Sequence, residues 1–203
     1  MKNSILLFAL LLTNFATFSQ LRGSGKTITK TYDYQNFNKV FFDDLDGNLE
    51  IEVGKPYSIS ITIDDNLSNL LNLNENLDSK ELIIALKGNR NNKMYIEDTK
   101  IKVKISVPFL AEVSNNGNSG LTVKNINSKN FKSSNPVNGS TTLDGIVDNL
   151  EVICKGNGNL NAEKLIAKNA KITCRGNGNA IVNAKNILES NQSGNGNIQN
   201  INQ

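Results

Sequence analysis

The residues predict an all-β protein built as a parallel β-helix, a solenoid of about 19-residue coils with β-strands packed at its N-terminal end. Three observations lead there. Apolar and polar residues alternate with period 2 through much of the first half. One Gly/Asn phrase recurs at a nearly constant interval in the second half. Asparagine supplies 35 of the 203 residues, and it suits tight turns and stacked polar ladders.

Residues 1–19 have the form of a secretory signal peptide. Lys2 opens it, Ile5–Leu12 is the apolar core, and Thr17 and Ser19 stand at −3 and −1 of a cut before Gln20. A transmembrane anchor is the competing reading, but the apolar run is shorter than the ~18–20 residues a span needs. No cysteine lies near the cut, so the usual bacterial lipoprotein anchor is missing. Residues 20–27 read as a flexible linker. Residues 28–203 read as a single domain, with leading strands over 28–108 and regular coils over 109–203.

The leading strands follow from β-branched, alternating runs at Val40–Phe42, Leu49–Val53, Ser58–Ile63, Leu82–Leu86 and Ile101–Val107. Asp46-Gly47 reads as a hairpin turn between the first two. Asp65-Asn66 is placed to cap a short helix over Leu67–Leu73, Gly88–Lys93 is a polar loop, and Pro108 ends the last strand.

From there the chain is periodic. Gly156-Asn157-Gly158-Asn159 recurs as Gly176-Asn177-Gly178-Asn179 and Gly194-Asn195-Gly196-Asn197, with weaker copies around Asn118 and Asn138. The central asparagines are spaced 20, 19, 20 and 18 residues apart. Five before them stand Val113, Ser133, Val152, Ile172 and Ser190; three before stand Asn115, Asn135, Cys154, Cys174 and Gln192. Neighbouring positions carry charge, as at Glu151, Lys155, Lys171 and Arg175. A unit this small cannot bury a core alone and must stack on its own copies. Gly156, Gly158, Gly176, Gly178, Gly194 and Gly196 are then structural corners that supply positive φ, and Asn118, Asn138 and Asn195 belong to the same corners. An antiparallel sandwich with similar turn spacing is the competing architecture.

Composition narrows function. Having no histidine removes Ser-His-acid and Cys-His sites and most catalytic zinc sites. The formal charge of +3 falls to +2 without residues 1–19, and no Lys/Arg block exists, so nucleic acid is an unsuitable partner. Two cysteines cannot make a disulfide scaffold. Cys154 and Cys174 share a column, at a spacing that permits a bond but with side chains pointing the same way. Free, buried thiols are the favoured reading and a disulfide the open alternative.

The leading pair Val40–Leu45 and Leu49–Val53, the strand Ile101–Val107 entering Pro108, and the corners Gly156/Gly158, Gly176/Gly178 and Gly194/Gly196 together resemble the head GIN domain family. That family is labelled as autotransporter adhesins and is common in exported proteins of Bacteroidetes-type bacteria. The match runs from about Val40 to Ile198. It implies a right-handed β-helix and an adhesive role. The chain ends at Ile201-Asn202-Gln203 where members usually close on Tyr-x-Gly, and its corners carry Asn where the family often has Ser.

Other motifs fall away. Gly23-Ser24-Gly25-Lys26-Thr27 lacks the first glycine and preceding strand of a phosphate loop. Asp43-Asp44-Leu45-Asp46-Gly47 would need Asp and Glu at Phe42 and Val53 to be a calcium loop of EF-hand type. The expectation is an exported cell-envelope β-helical protein, an adhesin or ligand-binding module without catalysis, cofactor or metal. It would lie in the periplasm or at the cell surface. Asn157, Asn177, Lys155 and Arg175 form its candidate ligand face, for carbohydrate or a cell-surface protein. The alternative is a self-assembling structural module, homo-oligomeric through its C-terminal coil. A polysaccharide lyase or glycosidase is disfavoured, because the acids after residue 108 do not share columns on adjacent coils.

Overall fold

The computed structural model describes residues 20–87 and 95–202. The signal-peptide expectation for residues 1–19 and the polar loop at 88–93 lie outside the described residues. Within them fifteen strands follow one another: β1 (Gln20–Arg22), β2 (Thr27–Tyr32), β3 (Lys39–Asp43), β4 (Gly47–Val53), β5 (Ser58–Asp64), β6 (Leu71–Asn76), β7 (Glu81–Leu86), β8 (Tyr95–Glu97), β9 (Ile101–Val107), β10 (Glu112–Asn116), β11 (Gly120–Asn135), β12 (Ser140–Cys154), β13 (Leu160–Arg175), β14 (Ala180–Ser193) and β15 (Ile198–Asn200). The only helical turn among the described residues is a 3-10 turn at Asp65–Leu67. The expected helix to Leu73 gives way to β6, because Leu71-Asn72-Leu73-Asn74 alternates with the period of a strand.

Thirteen strands make one mixed sheet, and β1 with β8 makes a small parallel pair. This corrects the expected right-handed parallel β-helix: the sheet is curled as a half-barrel and contains antiparallel pairs β2/β5, β5/β9 and β6/β7. Nor do all the early strands simply precede the repeats. β3 stands between β10 and β7, and β4 between β11 and β9, all in parallel register. Asp46-Gly47 therefore closes no hairpin; it carries the chain from one part of the sheet to the next. Alternation looks the same in parallel and antiparallel strands, so the pattern could not show this.

Residues one repeat apart do lie side by side. β11, β12, β13 and β14 pair in parallel, and two of the sequence columns fall into register as Ser133↔Val152↔Ile172↔Ser190 and Asn135↔Cys154↔Cys174↔Gln192. β11 shows how the sheet curls. Its first residues, Gly120–Lys124, pair with β4, while Lys132–Ser134 pair with β10. One strand thus bends around the core and takes two neighbours on the same side.

The core is continuous. Phe37, Phe42, Leu45, Ile51, Ile61 and Leu82 fill it towards the N-terminal strands, and Ala162, Ala167, Ala170, Ala180 and Ala184 line it towards the C-terminal ones. Cys154 and Cys174 sit there as free, buried thiols. The hydrogen bond to Cys174, then burial, pushes the Cys154 thiol up, so it stays protonated. Next to the β14/β15 ladder, Asn200 accepts from the Ala184 N–H at 3.0 Å and donates to its carbonyl at 2.8 Å, which closes the backbone groups of that residue.

Candidate ligand-binding face

The candidate face lies where the chain turns between two parts of the sheet. Asn118, Asn138, Asn157 and Asn177 line up there, bonded in series at the surface. Asn138 Nδ2 donates to Asn118 Oδ1 at 3.4 Å, Asn157 Nδ2 to Asn138 Oδ1 at 2.9 Å, and Asn177 Nδ2 to Asn157 Oδ1 at 2.9 Å. Asn195 is exposed beyond the end of this bonded run. A second series caps backbone donors: Asn159 Oδ1 accepts from Asn179 N at 2.8 Å, and Asn179 Oδ1 from Asn197 N at 2.9 Å. The inner side of the corner is also tied down, with Asn115 Nδ2 on the Ser119 carbonyl at 2.9 Å and Asn135 Nδ2 on the Gly139 carbonyl at 3.3 Å.

The glycines serve this stacking more than they serve positive φ. A Cβ on Gly158 would lie 2.0 Å from the Gly139 carbonyl oxygen, and one on Gly178 would lie 2.0 Å from that of Gly158. Neither has a positive φ. Only Gly176 (φ 155°) and Gly194 (φ 99°) of the six corner glycines have the backbone conformation expected from the sequence.

Lys155 and Arg175 are exposed at the same corner, each directly after a registered cysteine. They stand two residues before Asn157 and Asn177 of the bonded series.

Sequence reasoning missed an ion column on the neighbouring face. Glu81, Lys39, Glu112, Lys132, Glu151, Lys171 and Glu189 occupy successive registered positions, alternating in sign across seven strands. Lys132 Nζ meets Glu112 at 3.0 Å and Lys171 Nζ meets Glu189 at 2.7 Å. Hydrogen bonds to those carboxylates raise both lysines above their ordinary pKa. Beside this column runs another amide series, Asn130, Asn149, Asn169 and Asn186, and between the two lies a groove of about 430 Å³. Among the described residues no group of His, Cys, Asp and Glu is placed to hold a metal ion.

The family model described as "Putative auto-transporter adhesin, head GIN domain" matches residues 36–203. The chain belongs to this family. Of solved structures, a "putative adhesin" from Bacteroides fragilis NCTC 9343 shares its fold, with a TM-score of 0.64 at 19% identity over 89% of this chain and 100% of that one. A "putative adhesin" from Parabacteroides merdae ATCC 43184 aligns at a TM-score of 0.49 and 20% identity, covering 90% of this chain and 99% of that one. A "putative lipid binding protein" from Parabacteroides distasonis ATCC 8503 aligns at 0.48 and 17%, covering 90% and 100%. No curated protein matches the sequence. Among the described residues of this head GIN member, no helix is long and apolar enough to cross a membrane.

Proposed function

We propose that the protein is a non-catalytic adhesin-type module of the bacterial cell envelope, exported by residues 1–19 and working as one domain over residues 28–203. It holds a surface glycan or protein by display, without turnover. The observation that carries this reading is the bonded series Asn118-Asn138-Asn157-Asn177, with exposed Lys155 and Arg175 two residues before its last two members. Each amide is fixed by its neighbours, so a ligand meets donors and acceptors already ordered and costs them little entropy on binding. In the ion column each carboxylate neighbours lysines, not a second carboxylate, which supports binding over glycoside hydrolysis.

The test is a glycan and matrix-protein binding array with the wild-type chain and with Lys155→Ala/Arg175→Ala. Binding that the double substitution weakens about tenfold or more supports the reading. No binding on either array, or binding that the substitutions leave unchanged, refutes the assigned face.

A further inference from the structure

The outer surface of β3, β10 and β11 carries a second depression, of about 420 Å³, that the corner does not use. That is within the ~300–1,000 Å³ range of small-ligand sites. Register builds it: Phe41 of β3 stands beside Ser114 of β10, and Ser114 stands beside Ser134 of β11. Two serines in succession leave the flank of the Phe41 ring uncovered over about two strand spacings, ~9.6 Å. No hydrogen bond among the described residues occupies either hydroxyl. On one side Asn116 Nδ2 donates to Asp43 Oδ1 at 2.6 Å, which fixes a planar amide and a carboxylate against the depression. On the other, Glu112 is closed into its 3.0 Å pair with Lys132.

We propose that this depression binds an uncharged pyranose unit of a glycan. The inference rests on the ligand-display reading above but assigns a different surface. A pyranose offers an apolar C–H face and a rim of hydroxyls. The Phe41 ring matches the first, and the Ser114 and Ser134 hydroxyls with the Asn116–Asp43 pair match the second. Charge selects the class. No lysine or arginine is among the described residues that line the depression, and Lys132 beside it is engaged by Glu112, so the lining offers an anionic sugar no cationic partner.

The experiment titrates the full chain, isotope-labelled for NMR, with cellohexaose, mannohexaose and N-acetylchitohexaose, and with hexagalacturonate as the anionic control. At least one neutral hexasaccharide should shift the Asn116 side-chain amide and the Ser114 and Ser134 backbone amides. Phe41→Ala should weaken that binding about tenfold or more while its unperturbed spectrum shows the fold intact. Lys155→Ala/Arg175→Ala should leave it unchanged. The proposal is overturned if no neutral probe shifts these residues, if Phe41→Ala binds as well as wild type, if hexagalacturonate binds there equally, or if sedimentation shows a second copy covering Phe41. Adhesion lost in the Lys155/Arg175 variant with no sugar shift at Phe41 would sink this proposal alone. Sugar binding at Phe41 with adhesion indifferent to Lys155 and Arg175 would sink the corner assignment and leave this one standing.

Discussion

Replacing Gly178 by alanine tests whether close backbone stacking, not turn conformation, dictates the corner glycines. The added Cβ would sit 2.0 Å from the Gly158 carbonyl oxygen, about 1 Å inside the closest approach real Cβ atoms make. That oxygen is backbone, so relief requires the two turns to separate. Separation weakens the bond from Gly178 N to the Gly156 carbonyl, already 3.3 Å, and disturbs the 2.9 Å hydrogen bond from Asn177 Nδ2 to Asn157 Oδ1. Overpacking typically costs ~1–3 kcal/mol and a lost hydrogen bond about 1 kcal/mol, which gives about 2–4 kcal/mol in all. For a domain of this size that lowers Tm by about 5–15 °C. Gly120→Ala is the internal control, because nothing lies within 4 Å of its Cβ and its φ is not positive. It should be neutral or stabilising by up to about 1 kcal/mol through the unfolded state. Thermal and urea unfolding followed by circular dichroism measure both. If Gly178→Ala falls within about 0.5 kcal/mol of Gly120→Ala, the steric account is wrong.

Glu112→Lys sets a third lysine between Lys39 and Lys132 and should cost about 1–2 kcal/mol, more than Glu112→Gln; the gap between the two should shrink in 1 M salt, where the screening length is about 3 Å, and a gap indifferent to salt would refute an electrostatic origin. A 2.6 Å hydrogen bond from Lys124 holds the Glu50 carboxyl below its ordinary pKa, so the pair's contribution is present above the ordinary carboxylate range and lost as pH falls through the lowered folded value. The difference in urea midpoint between wild type and Lys124→Met should therefore close in acid, and a pH-independent difference would contradict it. Asp64 is fully buried and accepts from Gly25 N at 2.8 Å and Lys100 N at 2.6 Å. Asp64→Ala strands both donors, at about 2–5 kcal/mol, and hydrogen exchange at those two amides should accelerate.

The asparagine phrase made one level of structure legible, because a side chain that bonds its own copy needs the same residue at each repeat. Asn138, Asn157 and Asn177 accordingly sit one above another. The antiparallel strands were not legible, since Ser58–Asp64 and Ile101–Val107 alternate alike whichever way their partners run. The glycine columns were visible but their reason was not: positive φ and close approach both select glycine, and only coordinates separate them. Part of the ion column could have been found six residues before each marker asparagine, where Glu112, Lys132, Glu151, Lys171 and Glu189 alternate. Lys39 and Glu81 could not, because no Gly/Asn phrase anchors their register. Phe41 was hidden from site reasoning for the same cause, as its neighbour Ser114 belongs to a strand far along the chain.

These columns bear on function through what they leave outward. A parallel sheet face is usually covered, and its strands then read as continuous apolar runs. Here the outer positions of β3, β10, β11, β12 and β13 instead carry Lys39, Glu112, Lys132, Glu151 and Lys171, alternating in sign, with Glu112 and Lys132 closed into an ion pair. Lateral pairing stabilises the face without a covering layer, and alternating sign penalises any neighbour exchange that sets like against like. A surface finished this way stays open to solvent while its backbone is paired on both sides. Those are the properties a binding module needs, and they leave Phe41 and the Asn157–Asn177 corner as separate stations on one ordered sheet, whose two binding assignments can be tested independently.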